Sequence, residues 1–182
     1  MNGILQTLLQ RNNADKTNKH SYGPLYEEWF DPFRFIPHLR ILEIGVFQGG
    51  SLRAWRDYFP DAWVYGVDND PAVLFQEPRI TCLYGDAFIP STIVRALGKL
   101  AERESFHIII DDGPHYAIQQ LGCMFSLWPM LRPGGLYIVE DALDAFRTAA
   151  LRGLPYGREY DRRGVSGVED DILYKFQKPG SY

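Results

Sequence analysis

The segment FHIIIDDGPHY, residues 106–116, carries an apolar, β-branched run onto two carboxylates, Asp111 and Asp112, and then turns through Gly113-Pro114 to His115. A second acidic pair, Glu140-Asp141, ends the run GGLYIVED. Asp and Glu are hard oxygen donors suited to Mg²⁺, an ion that keeps several waters and leaves room for substrate oxygens. The turn after Asp112 can aim His115 over the same point. One geometric condition applies to the second pair. Neighbouring residues of an extended strand point to opposite faces, so Glu140 and Asp141 reach one ion only if the chain bends there. The plainer alternatives are that Asp111 and Asp112 cap a helix, His115 is a solvated turn residue and Glu140-Asp141 merely terminate a strand.

A different chemistry is written into LEIGVFQGGS, residues 42–51. Gly45 and Gly49 allow close backbone approach to a ligand, and a helix starting near Ser51 offers unpaired N–H groups. A glycine turn at this place also serves packing alone. The spacing is not G-x-G-x-x-G, which disfavours a dinucleotide pyrophosphate. The acids fit another ligand: Glu43 can face an ammonium group through water, Asp68 of VYGVDND can accept from ribose hydroxyls, and Asp86 of LYGDAF can sit near an adenine amine.

These residues need elements to hold them. Buried-strand patterns cover Arg40–Phe47, Ala62–Asp68, Arg79–Asp86, Phe106–Asp112 and Gly134–Ala142. Helical patterns lie between them: SLRAWRDYF, whose Trp55, Tyr58 and Phe59 belong to the core; STIVRALGKLAER with Ser91 as N-cap; and AIQQLGCMFSLWPML, limited by Pro129. Near-continuous apolar strands alternating with helices predict a doubly wound, mostly parallel α/β sheet. Ligands of such sheets collect at the carboxyl ends of the strands, where all the acids named above would lie. His38 and His107, beside or within apolar segments, read as packing residues. The segment before the first strand predicts a helical cover with irregular connections. After about Leu151 only DILYKFQK resembles a strand, and GREYDRRG reads as a solvated loop.

Bulk properties set limits. A chain of 182 residues, 46% hydrophobic and 23% charged, suits one globular domain. The net charge of −4, with no basic tract, argues against nucleic acid as a partner. No run is long and apolar enough for a membrane span, and the start MNGILQTLLQ lacks the charge pattern of a signal peptide. Cys82 and Cys123 have no metal-type spacing, so free thiols and a cytoplasmic location are expected.

Taken together, LEIGVFQGG, VYGVDND, LYGDAF, FHIIIDD and LRPGGLYIVED resemble the class I S-adenosylmethionine-dependent methyltransferases, which have a Rossmann-like sheet. DDGPH followed by RPGGLYIVED, with the early DKTNKHSYGPLYEEWF, is similar to the macrocin O-methyltransferase-like group, metal-dependent sugar O-methyltransferases of macrolide and aminocoumarin pathways. The resemblance implies S-adenosyl-L-methionine held by Glu43, Gly45, Gly49, Ser51, Asp68, Asp86 and Asp111. It implies Mg²⁺ held by Asp112, Glu140 and Asp141, with His115 as general base on a sugar hydroxyl. His20 and Tyr22 would line the substrate side of a lid. The acceptor would be a small molecule, a sugar or glycosylated metabolite. Three parts are expected: a cover or lid over residues 1–39, the donor-binding core over 40–150, and a C-terminal loop with one closing strand over 151–182. That last part looks reduced by one strand, which would leave a sheet edge to be covered by DILYKFQK or by a homo-oligomer. Two other readings stay open: a metal-independent methyltransferase on another acceptor, and a non-catalytic protein of the same fold.

Overall fold

The computed structural model describes residues 3–143, Phe146 and residues 157–180. Eight strands form one sheet: β1 (Leu39–Ile44), β2 (Ala62–Asp68), β3 (Gln76–Glu77), β4 (Ile80–Tyr84), β5 (Phe106–Asp111), β6 (Leu131–Val139), β7 (Gly157–Asp161) and β8 (Ile172–Gln177). Their order is β3-β4-β2-β1-β5-β6-β8-β7. The five central strands β4, β2, β1, β5 and β6 run parallel, and β3, β8 and β7 pair antiparallel at the two ends. This is the mostly parallel, doubly wound sheet that the alternation of strands and helices predicts.

Two apolar layers sandwich the sheet. On one face, α1 (Ile4–Arg11), α3 (Gly23–Phe30) and α4 (Gly50–Tyr58) pack Leu5, Tyr26, Phe30 and Trp55 onto Ile41, Ile108 and Ile110. The short α2 (Asp15–Asn18) lies between α1 and α3. On the other face, α5 (Pro90–Leu97) and α6 (Ala117–Leu127) pack Ile93, Leu97, Met124 and Leu127 onto Leu42, Ile109 and Tyr137. Every residue of β5 is buried, so β-branched side chains on both faces find a cover and no alternation is needed. Trp55, Tyr58 and Phe59 are core residues, and both cysteines are buried and free, as expected. His107 is buried, with Nδ1 accepting from the Arg40 N–H at 3.0 Å. His38 is instead exposed, at the turn leading into β1.

Two local expectations change. Ser91 does not cap α5; the Thr92 hydroxyl organises that turn, accepting from the Asp86 N–H at 2.8 Å and donating to the Ile89 carbonyl at 2.7 Å. Pro90 opens the helix, where its missing N–H costs nothing. The larger correction is at the C-terminus. Beside the expected strand at Ile172–Gln177 lies β7, Gly157–Asp161, inside the segment read as a solvated loop. The closing antiparallel hairpin is therefore complete, and β6 is paired within the chain. β7 escaped notice because GREYD has no apolar run, as befits a polar edge strand held by one neighbour. With β6 covered, the unpaired edge that called for an oligomer is gone. The part of the C-terminal segment over residues 151–156 lies outside the described residues. Among the described residues no helix is long and apolar enough to cross a membrane.

Candidate functional site

The sheet order reverses between β1 and β5, and a crevice is expected outside the carboxyl ends of those strands. A cleft of about 420 Å³ opens there, lined by Glu43, Gly45, Gly50, Ser51, Asp68, Asp86, Asp112 and His115 among others. That volume falls in the range of about 300–1,000 Å³ in which small ligands are held. At its floor Gly45 has φ +94°, and a Cβ there would stand 2.1 Å from the Asp112 carbonyl oxygen. Glycine is thus needed for β1 to pass the end of β5. Gly49, at φ +73°, turns the chain into α4 and packs on the Phe75 ring; no side chain caps this helix, so its first N–H groups remain available.

The acids of the cleft differ in how much of their capacity is used. Asp68 accepts from the N–H groups of Val46 (2.8 Å) and Asp70 (2.9 Å), which fixes the loops after β1 and β2. Asp86 accepts from Phe88 N–H at 2.9 Å. Glu43 is buried and accepts from the Ser51 hydroxyl at 2.7 Å and from the Trp55 indole N–H. Burial pushes its carboxyl up, opposed by Lys16.

The second group of acids gathers where β5 and β6 end. Asp111 pairs with Val139 in the parallel register, so Asp112 and Glu140 emerge side by side. Glu140 and Asp141 leave the strand through a bend, with Asp141 in the left-handed region at φ +49°. Asp tolerates this conformation better than most residues. Asp141 comes to Asp112 and His115, whereas Glu140 Oε1 is held by Lys16 and Tyr26. His115 also has positive φ, +58°. Its Nε2 lies 3.2 Å from Asp112 Oδ1 and its Nδ1 3.7 Å from Asp141 Oδ2. One ligand atom each from Asp112, His115 and Asp141 falls within 4.8 Å of the others.

The N-terminal segment grips the remaining oxygens. The fully buried Lys16 ammonium sits 2.7 Å from Asp112 Oδ2, 2.6 Å from Glu140 Oε1 and 3.4 Å from Glu43 Oε1. The Tyr26 hydroxyl donates to Glu140 and the Tyr22 hydroxyl to Asp141 Oδ1. Burial alone would lower the Lys16 pKa, but Asp112, Glu140 and Glu43 outweigh it and hold the ammonium charged. Burial alone would raise Asp112; Lys16 and His115 overcome this and hold it at about 2. Glu140 and Asp141 are both pushed up, by burial and then by the neighbouring Asp112 charge. His115 is raised, because Asp112 and Asp141 more than offset its burial. One ammonium does not neutralise this group of acids. A hard divalent cation beside Asp112 and Asp141 fits both the donor types and the surplus negative charge.

Of the residues expected to hold the donor, Glu43, Gly45, Ser51, Asp68 and Asp86 line the cleft, and Gly49 shapes its rim from outside. Asp111 is not brought to it. Strand alternation turns its side chain to the opposite face, where it is fully buried and accepts from Gln119 Nε2 at 3.1 Å. His20 and Tyr22, expected at a lid, do not line the cleft either; both are buried behind Asp141. Sequence reasoning passed over Lys16 and Asp171. A lone lysine in a polar helix carries no pattern, and Asp171 stands in the charged run VEDD. Only the clustering of Lys16, His20, Tyr22 and Tyr26 within eleven residues hinted at a common target.

The sheet order, the closing antiparallel hairpin and the acidic cleft at the switch point define the fold of the class I S-adenosylmethionine-dependent methyltransferases. Superposition agrees. The MycE methyltransferase of mycinamycin biosynthesis, solved with Mg, S-adenosylhomocysteine and mycinamycin VI, matches 97% of this chain with a TM-score of 0.75 and 25% identity. Sequence comparison finds similarity to O-methyltransferases of Streptomyces and Micromonospora. A tetracenomycin-C rhamnosyl 3'-O-methyltransferase of Streptomyces olivaceus is 38% identical over 95% of this chain. The mycinamicin VI 2''-O-methyltransferase of Micromonospora griseorubida is 36% identical over 85%, and the demethylmacrocin O-methyltransferase of Streptomyces fradiae 36% over 70%. The chain is similar in sequence to these O-methyltransferases over most of its own length. It spans 46%, 38% and 33% of those three relatives and 55% of the MycE chain. No protein-family model matches it.

Proposed function

We propose that this chain is an S-adenosylmethionine-dependent, Mg²⁺-assisted O-methyltransferase acting on a hydroxyl of a sugar or sugar-bearing small molecule. The observation that carries the reading is the meeting of Asp112, His115 and Asp141 at the edge of a cleft with an open helix N-terminus and the Asp68 carboxylate. The named relatives and the Mg- and S-adenosylhomocysteine-bound neighbour support it.

In this reading Asp68 accepts from the donor's ribose and Asp86 lies beside its adenine. Asp112 and Asp141, with Glu140 behind them, hold the divalent ion. When bound, the donor supplies the methyl group and the ion lowers the pKa of the acceptor hydroxyl. His115 takes the hydroxyl proton. With its Nε2–H given to Asp112, Nδ1 is the nitrogen left to accept, and the flanking carboxylates make it a stronger acceptor. Such proton transfer contributes roughly 10²–10⁴-fold, and fixing oxygen and methyl carbon in line supplies much of the rest.

One observation favours a second reading, metal-independent transfer: Lys16 already bridges Asp112 and Glu140 as a resident cation. Labelled methyl transfer from S-adenosylmethionine to a panel of rhamnosylated and other deoxysugar-bearing acceptors, in Mg²⁺ and in EDTA, separates the two. Transfer lost in EDTA and restored by Mg²⁺ supports the first reading; transfer indifferent to EDTA supports the second. A protein that binds donor and methylates no glycosylated acceptor contradicts the substrate class.

A further inference from the structure

We propose that Asp171, acting through His20, is a positioning residue for Asp141; this rests on Asp141 belonging to a divalent-cation site. Asp171 precedes β8, and its side chain is fully buried. Its Oδ1 lies 3.1 Å from His20 Nδ1, and its Oδ2 accepts from the Ser21 hydroxyl at 3.4 Å. The other nitrogen of the same ring, His20 Nε2, lies 3.5 Å from Asp141 Oδ2. The imidazole is therefore a spacer between two carboxylates that come from different segments of the chain. Its ring stacks on Tyr22, with centroids 4.8 Å apart, and the Tyr22 hydroxyl holds the other Asp141 oxygen. Both oxygens of Asp141 thus meet groups of the N-terminal segment, and one of those groups takes its orientation from Asp171.

The backbone binds the same pieces together. Ala142 N–H donates to the Ile172 carbonyl at 2.9 Å, so the residues following Asp141 and Asp171 are fixed to each other. A buried carboxylate is costly unless its partners satisfy it, and Asp171 is not among the residues lining the cleft. Groups behind a metal ligand commonly set that ligand's orientation, and their loss costs about 10–100-fold in metal affinity. Asp171 gives the closing hairpin such a hold on the cation site.

The test is calorimetric titration of Mg²⁺ into metal-stripped wild type, Asp171→Asn, His20→Gln and the double variant, with S-adenosylhomocysteine affinity measured on each. Either single change should weaken Mg²⁺ by about 10–100-fold while S-adenosylhomocysteine binding stays unchanged. The double variant should be no weaker than the poorer single one, as for residues acting in series. Folded variants with wild-type Mg²⁺ affinity, fully additive losses, or a parallel fall in S-adenosylhomocysteine affinity would overturn the proposal. If Asp171→Asn does not fold, His20→Gln decides by the same readings. Wild type that binds S-adenosylhomocysteine but no Mg²⁺ would sink the cation site and this proposal with it; unaffected variants of a Mg²⁺-binding wild type would sink this proposal alone.

Discussion

Asp111 and Asp112 are adjacent in sequence and opposite in fate. Asp112 faces the cleft, where Lys16 and His115 keep it ionised, while burial pushes Asp111 up to about 7. An unfolded chain ionises such a group near ~3.9, so between the two values the folded state holds a proton that the unfolded state has released. Stability from this group is therefore present at low pH, falls as pH rises through the window, and levels off above it. Replacing Asp111 with Asn removes the titration. Its melting temperature relative to wild type, measured in EDTA, should climb from about pH 4 to about pH 7 and then level off; a constant difference would contradict the assignment. His115→Ala should lower methyl transfer by roughly 10²–10⁴-fold with S-adenosylhomocysteine binding intact, and equal loss of both would make the histidine structural. The chemistry-bearing residue types were legible in FHIIIDDGPHY. Which of the two aspartates faces the cleft was not, because a period-two strand fixes that only once its register with β1 and β6 is known.

At the scale of elements, the parallel core was readable because its strands are continuous apolar runs with turn signals at their ends. The hairpin was half readable: β8 carries the apolar ILYKF, whereas β7 is polar and exists by pairing with it. The junction of β1 and β5 depends on a missing side chain. Gly45→Ala meets both a positive φ and the Asp112 carbonyl. The conformation alone costs about 1–3 kcal/mol. Each kcal/mol lowers the melting temperature by about 2–4 °C in a chain of this size. Thermal unfolding of Gly45→Ala should show a drop of that order or larger, together with weaker Mg²⁺ binding as Asp112 is displaced. An unchanged melting temperature would mean that the loop relaxes and the close approach is incidental.

Among the described residues, several acids gather on one rim and meet one buried ammonium from the N-terminal helices. Those helices share the core layer of the sheet face that carries Trp55 and Ile110, so the segment that closes over the carboxylates is also packed into the fold. A cation that binds only the folded chain stabilises it by mass action, about 2.7 kcal/mol at a hundredfold excess over its dissociation constant. Mg²⁺ should therefore raise the melting temperature of wild type and leave Asp112→Asn unmoved. The central claim, a donor-binding methyltransferase with a separate ion site, is tested most directly by calorimetric titration of S-adenosylhomocysteine in Mg²⁺ and in EDTA. S-adenosylhomocysteine should bind in both buffers, with a distinct Mg²⁺ heat that Asp112→Asn abolishes. No S-adenosylhomocysteine binding in either buffer would contradict the claim.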